Sequence, residues 1–118
     1  MNDSVNPIRQ VVWADQGRGV LLAQAAGEVD LRHAEAFQQS LLSLVERGPK
    51  VLVVDLTEVP FMDSSGLASL IKCLLRSGQR GVSLRLCGLN PRVSSVMEIS
   101  RLDKAFSIFP GRQEAIGA

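Results

Sequence analysis

Apolar residues run without a break from Val51 to Val54, and Asp55-Leu56 follows. A valine-rich run of this length predicts a strand buried on both faces. A polar turn with Pro60 comes next, Phe61-Met62 re-enters apolar surroundings, and Asp63-Ser64-Ser65-Gly66 follows. Beyond it Leu67, Leu70, Ile71, Leu74 and Leu75 recur at helical spacing and form one apolar stripe. Ser65, Ser69, Lys72 and Arg76 fall opposite that stripe as a polar row, and Ser77-Gly78 closes the helix.

The same pattern organises the flanks. Ile8–Trp13 and Val20–Ala26 are strands joined by the turn residues Asp15-Gln16-Gly17-Arg18-Gly19, which predicts a hairpin. Val11, Trp13, Val20 and Leu22 are expected on its buried face, with Trp13 a packing residue. Asp30 is placed as the N-cap of a helix whose stripe is Ala34, Phe37, Leu41, Leu44 and Val45, ended by Gly48-Pro49. Val82–Cys87 alternates as a further strand. Asn90-Pro91 starts a helix with Val93, Val96 and Met97 inward and Ile99 or Leu102 completing the packing. Ala105–Phe109 reads as a short last strand, and Pro110–Ala118 as a polar tail with a weak helical turn through Gln113–Ile116. The order β-β-α-β-α-β-α-β predicts one α/β domain over residues 1–118. Its core is about 8–109, a mixed sheet of an N-terminal hairpin plus parallel strands packed with α-helices.

Composition narrows the chemistry. A net charge of +1 makes no electrostatic case for nucleic acid. Eight Lys/Arg against four Asp/Glu in residues 59–118, and five against eight in residues 1–58, form a mild asymmetry that fits a solvated surface or helps orient a partner. Two cysteines, Cys73 and Cys87, suggest buried thiols in a reducing compartment. The polar N-terminus lacks the layout of a signal peptide, and no apolar run is long enough to cross a bilayer, so a cytoplasmic location is expected. His33 is the sole histidine, read as a solvent-facing helix residue. No Cys or carboxylate cluster has metal-ligand spacing, no catalytic group is placed beside Ser64, and no glycine-rich phosphate loop with lysine is present. No catalytic residue, cofactor or metal is therefore assigned. A nucleotide-binding or hydrolysing enzyme is the weakest of the readings.

The turn at 63–66 has two readings. Asp63 or Ser64 caps the helix N-terminus, where such side chains satisfy unpaired N–H groups. Alternatively, one serine accepts a phosphate, which a helix N-terminus tolerates electrostatically. The row Ser65, Ser69, Lys72, Arg76 is either a solvated face or, because it begins at this turn, part of a partner contact.

Asp55-Leu56, Val59 and Phe61-Met62-Asp63-Ser64-Ser65-Gly66-Leu67 together resemble the signature of the STAS domain, whose bacterial members include anti-sigma factor antagonists. The resemblance extends from about Val11 to about Phe109. It implies that Ser64 is the phosphorylated serine and that Asp30, from the Gly27-Glu28-Val29-Asp30 segment, lies in the partner-facing patch. With Asp63, Ser64, Ser65, Gly66, Ser69, Lys72 and Arg76 it forms the expected partner-binding set. The resemblance further implies an anti-sigma factor serine kinase as partner, with ATP and Mg used by that kinase, and a metal-dependent (PP2C-type) phosphatase that restores the serine. The alternative it leaves open is a subunit of a stressosome-like scaffold or lipid-transport complex in which the serine is structural. Against relatives that end in a firm terminal helix, this chain's ending looks abbreviated.

Overall fold

The structure, a computed structural model, describes residues 11–118. In chain order the elements are β1 (Val12–Asp15), β2 (Val20–Ala26), α1 (Ala34–Glu46), β3 (Val51–Glu58), α2 (Ser64–Arg80), β4 (Ser83–Cys87), α3 (Pro91–Ile99), a 3-10 turn (Leu102–Lys104), β5 (Ser107–Phe109) and α4 (Arg112–Gly117). The five strands make one sheet in the order β1-β2-β3-β4-β5. β1 pairs antiparallel with β2, and the remaining pairs are parallel. The expected α/β class and mixed sheet hold. The expected strand start at Ile8, and the polar segment before it, lie outside the described residues.

Alternation along β2, β3 and β4 divides the core in two. Leu21, Ala23, Leu52, Val54, Leu56, Leu84 and Leu86 point to the face that α1, α2 and α3 cover. Val20, Leu22, Val53 and Cys87 point to the opposite face, where Ala115 of α4 packs. The α1 stripe is buried at all five expected positions. Phe37, Leu41 and Leu70 are fully inaccessible, and each such side chain contributes about 1.5–3 kcal/mol relative to exposure.

Several expectations give way to this geometry. Trp13 pairs with Ala23 in the sheet register, so it lies on the α1 side, whereas Val20 and Leu22 face the other way. The four hairpin residues therefore share no face, because β2 is buried on both sides between β1 and a parallel neighbour. Trp13 is half exposed and not on a buried face as expected, and it packs against the Arg47 guanidinium, which stacks 4.4 Å from its ring centroid. Leu75 is exposed, at the edge of a stripe wider than the α2 contact requires. Of the alternatives on α3, Leu102 packs on the core and Ile99 points into solvent. Helix α2 continues through Gly78 to Arg80. Gly81, at φ 71°, is its C-cap, with Val82 N–H on the Ser77 carbonyl closing the end.

The helical turn expected through Gln113–Ile116 is present as α4, and it docks on the sheet where a polar tail was expected. Helix α4 buries Ala115 completely, and its carbonyl accepts a hydrogen bond from Arg85 Nη1 at 2.8 Å. Arg112, at its first turn, places Nη2 2.7 Å and Nε 3.0 Å from Asp55 Oδ2. Asp55 is buried, and its other oxygen accepts the Thr57 N–H and hydroxyl. Burial pushes the Asp55 carboxyl up, but the Thr57 hydrogen bonds and the Arg112 guanidinium outweigh it and hold the carboxyl below its ordinary value. Gly88 closes this cluster: its φ is +74°, and a Cβ there would stand 2.1 Å from Thr57 Oγ1.

Candidate partner-binding site

The turn at 63–66 is mounted on backbone hydrogen bonds. After β3, Val59 and Met62 plug into the core with no exposed surface. The 27–29 segment then runs beside the chain leading to the turn. Gly27 N–H bonds Glu58 O at 2.9 Å, Val29 N–H bonds Phe61 O at 3.0 Å, and Asp63 N–H bonds Val29 O at 3.2 Å. On the other flank Asn90, the N-cap of α3, donates Nδ2–H to Val59 O and Pro60 O at 3.1 and 3.2 Å. Asn90 was legible as a cap; its hold on this loop was not.

Asp63 is the cap of α2. Its Oδ1 accepts Ser65 N–H at 2.9 Å and Gly66 N–H at 3.3 Å, and its main-chain carbonyl accepts Leu67 N–H. Its Oδ2 reaches across to Leu31 N–H at 3.2 Å, joining the turn after Asp30 to the start of α2. Gly66 lets this happen, since a Cβ there would meet Met62 Cγ at 2.4 Å and the Val29 carbonyl at 2.8 Å. The helix therefore starts directly on the Val29–Met62 bridge.

Ser64 is the first residue of α2 and is exposed. Its hydroxyl makes no hydrogen bond to another described residue. Ser65 is half-buried, and its carbonyl accepts Ser69 Oγ–H at 3.2 Å. Ser69 does not lie on a solvated face: it is buried, and its hydroxyl also donates to Ala34 O at 2.9 Å, pinning α2 to α1. The row at this spacing faces the neighbouring helix. At its far end Arg76 ion-pairs Glu46 at the end of α1, with Nη2–Oε1 at 3.1 Å. Twelve residues of helix put Arg76 about 18 Å from Ser64 along the axis, so the turn and Arg76 do not form one cluster. Lys72 stands between them, exposed.

Asp30 is not the N-cap of α1; His33 occupies that position without a side-chain cap bond. Asp30 instead caps the short turn before the helix. Its carbonyl accepts His33 and Ala34 N–H, and its carboxylate accepts Arg32 N–H at 3.0 Å and pairs with the Arg32 guanidinium at 2.9 Å. The hydrogen bond from Arg32 holds the Asp30 carboxyl below the usual aspartate range, against the effect of burial. His33 is buried, with Nδ1 3.0 Å from Asp30 Oδ1, so it is a structural residue and not a solvent-facing one. Its polar ring looked exposed by pattern alone because the turn before α1 has no periodic signal. Asp30, Asp63, Ser64, Ser65, Gly66 and Ser69 are thus brought to one end of the α1–α2 pair.

Between α1 and α2, next to Ser65, lies an open groove of about 440 Å³ lined by Leu31, Ala34, Glu35, Gln38, Ala68 and Lys72 among others. Arg92 stacks 5.2 Å from the Phe61 ring on the opposite flank of the turn. The arrangement presents a hydroxyl and a shallow surface for contact. Among the described residues it gathers no group of three or more His, Cys, Asp or Glu positioned to hold a metal ion.

Comparison with known proteins agrees with the fold. The family model of the STAS domain matches residues 13–115. The chain is 35% identical over 83 residues to the anti-sigma-B factor antagonist of Listeria monocytogenes, covering 70% of this chain and 73% of that one. It is 28% identical to the anti-sigma F factor antagonist of Paenibacillus polymyxa over 84% of this chain and 86% of the relative. The crystal structure of an anti-sigma factor antagonist from Mycobacterium paratuberculosis superposes with a TM-score of 0.82 at 27% identity, over 91% of this chain and 90% of that one. With the motif at its expected place on the fold and the match spanning nearly every described residue, the chain belongs to the STAS domain family.

Proposed function

We propose that this chain is an anti-sigma factor antagonist that binds a serine-kinase anti-sigma factor through the Ser64 turn and the adjoining α1–α2 surface. Phosphorylation of Ser64 by that kinase, using its own Mg-ATP, switches the binding off, and a metal-dependent serine phosphatase restores it. The observation that supports this reading is a division of labour at the turn. Asp63 supplies the helix cap through both its carboxylate and its carbonyl, so the exposed Ser64 hydroxyl is not needed for capping.

A phosphate there adds a charge of about −1.5 to −2 beside the Asp63 carboxylate. In the free protein that charge faces water and the positive end of α2, and the fold tolerates it. Inside a tight interface it brings like-charge repulsion and desolvation of several kcal/mol, which shifts affinity by orders of magnitude. The antagonist itself catalyses nothing in this scheme.

The test is intact mass and phosphosite mapping after incubation with Mg-ATP and an anti-sigma factor serine kinase from the same organism. One phosphate on Ser64, absent from Ser64→Ala, is the expected result. Phosphate on Ser65 would move the switch by one residue. No phosphate from an active kinase would return the turn to a structural cap in a scaffold or transport subunit.

A further inference from the structure

Leu31 is an apolar side chain held in water by an ordered turn. It is 79% exposed, yet its N–H is fixed on Asp63 Oδ2 at 3.2 Å. The Asp30 carbonyl and carboxylate hold the turn around it through His33, Ala34 and Arg32 N–H. Single exposed leucines are common on protein surfaces. What sets this one apart is that the residue immediately before Ser64 positions it, with the same carboxylate that caps α2. Leu31 and the exposed Ala68 border the groove between α1 and α2, and its rim carries one charge of each sign, Glu35 and Lys72. Where Ser69 lies in the groove its hydroxyl is already spent on Ala34 O and Ser65 O, so an apolar group seated between Leu31 and Ala68 does not strand that buried hydroxyl.

We infer that Leu31 is the apolar anchor by which the kinase partner grips this surface, with Asp63 as the positioning residue that sets it beside Ser64. The inference rests on the kinase-binding reading above. The matching surface on the kinase is an apolar side chain seated against Leu31 and Ala68, flanked by a cation toward Glu35 and an anion toward Lys72. A second copy of this chain fits less well. It would cover the serine that must stay reachable, and a stable dimer needs about 800 Å² from each partner, which one leucine beside a shallow groove does not supply.

The experiment measures equilibrium and dissociation constants between the full chain and that serine kinase in Mg-ADP, so that no phosphate is transferred. Leu31→Ala is expected to bind about tenfold to a hundredfold more weakly, the size of effect a buried apolar anchor gives. The loss should appear in the off-rate and vary little with salt, whereas changes at Glu35 or Lys72 should vary with salt. Leu31→Met should restore most of the affinity. Asp63→Asn keeps an oxygen for the α2 cap but presents an amide where Oδ2 accepts Leu31 N–H. It should weaken binding too, and less than additively in combination with Leu31→Ala. An unchanged thermal midpoint in Leu31→Ala separates these effects from misfolding. Wild-type binding with Leu31→Ala unaffected overturns the anchor alone. Loss of self-association in Leu31→Ala, with kinase binding intact, overturns it in favour of a second copy. Failure of the wild type to bind the kinase overturns the anchor and the kinase-binding reading together.

Discussion

The start of α2 and the body of α4 are both short pieces of helix docked on the same sheet, and they are held in opposite ways. The α2 start rests on the fully buried Val29 and Met62, and is tied by backbone hydrogen bonds from 27–29, by Asn90 and by the Asp63 cap. Helix α4 buries Ala115 and depends on Arg112 reaching the buried Asp55, with Arg85 on its last turn. Many small interactions make the first rigid. Few interactions, one of them ionic, hold the second, so α4 is expected to behave as a latch that opens before the α2 start does. The proposed phosphoswitch, which needs a surface that keeps its shape, stands on the first kind of support.

The difference can be broken from the latch side first. Arg112→Ala leaves the Asp55 carboxylate buried without its cation, and is expected to cost about 2–3 kcal/mol. That is less than a fully buried pair loses, since Arg112 is itself partly exposed. Chemical denaturation should show this loss, and hydrogen exchange should place it in α4 and β4 before α2. The same pair gives a sign for pH. Because the folded Asp55 carboxyl sits below its ordinary value, its contribution is complete at neutral pH and is lost as pH falls through that depressed folded value. The gap between wild type and Arg112→Ala should therefore close in acid.

On the switch side, Gly66→Ala forces a methyl into Met62 Cγ and the Val29 carbonyl, and should cost about 1–3 kcal/mol, because backbone must move to admit it. Partner binding should fall with it, while α4 exchange stays unchanged. Asp63→Ala removes the cap and should cost about 1–2 kcal/mol, again read by denaturation. Ser64→Ala should change stability by less than about 0.5 kcal/mol. A larger loss would mean that the hydroxyl is structural after all.

Much of the switch side was legible in sequence because its signals are local. The α1 stripe from Ala34 to Val45, the double-faced run of β3, and the caps Asp63 and Asn90 all lie within a few residues of what they organise. The latch was not. Asp55 and Arg112 stand 57 residues apart, and a lone arginine in a polar tail has no periodicity to betray its partner. The stack of Arg47 on Trp13 was missed for the same reason. Ser69 shows a different limit. Helical spacing groups Ser65, Ser69, Lys72 and Arg76 correctly on one row, but it does not say whether that row meets water or α1. The cysteines needed only burial: Cys73 and Cys87 are free and buried, and desolvation pushes their thiols up to about 12 and about 11.

The central claim is that a phosphate on Ser64 abolishes partner binding without disturbing the domain that carries it. The direct measurement pairs the kinase dissociation constant of the phosphorylated and unphosphorylated chains with the thermal midpoint of each. The account predicts an affinity loss of about a hundredfold or more, corresponding to a few kcal/mol, with midpoints within a few degrees of each other. Equal affinities, or a phosphorylated chain that melts well before its partner form, would contradict it.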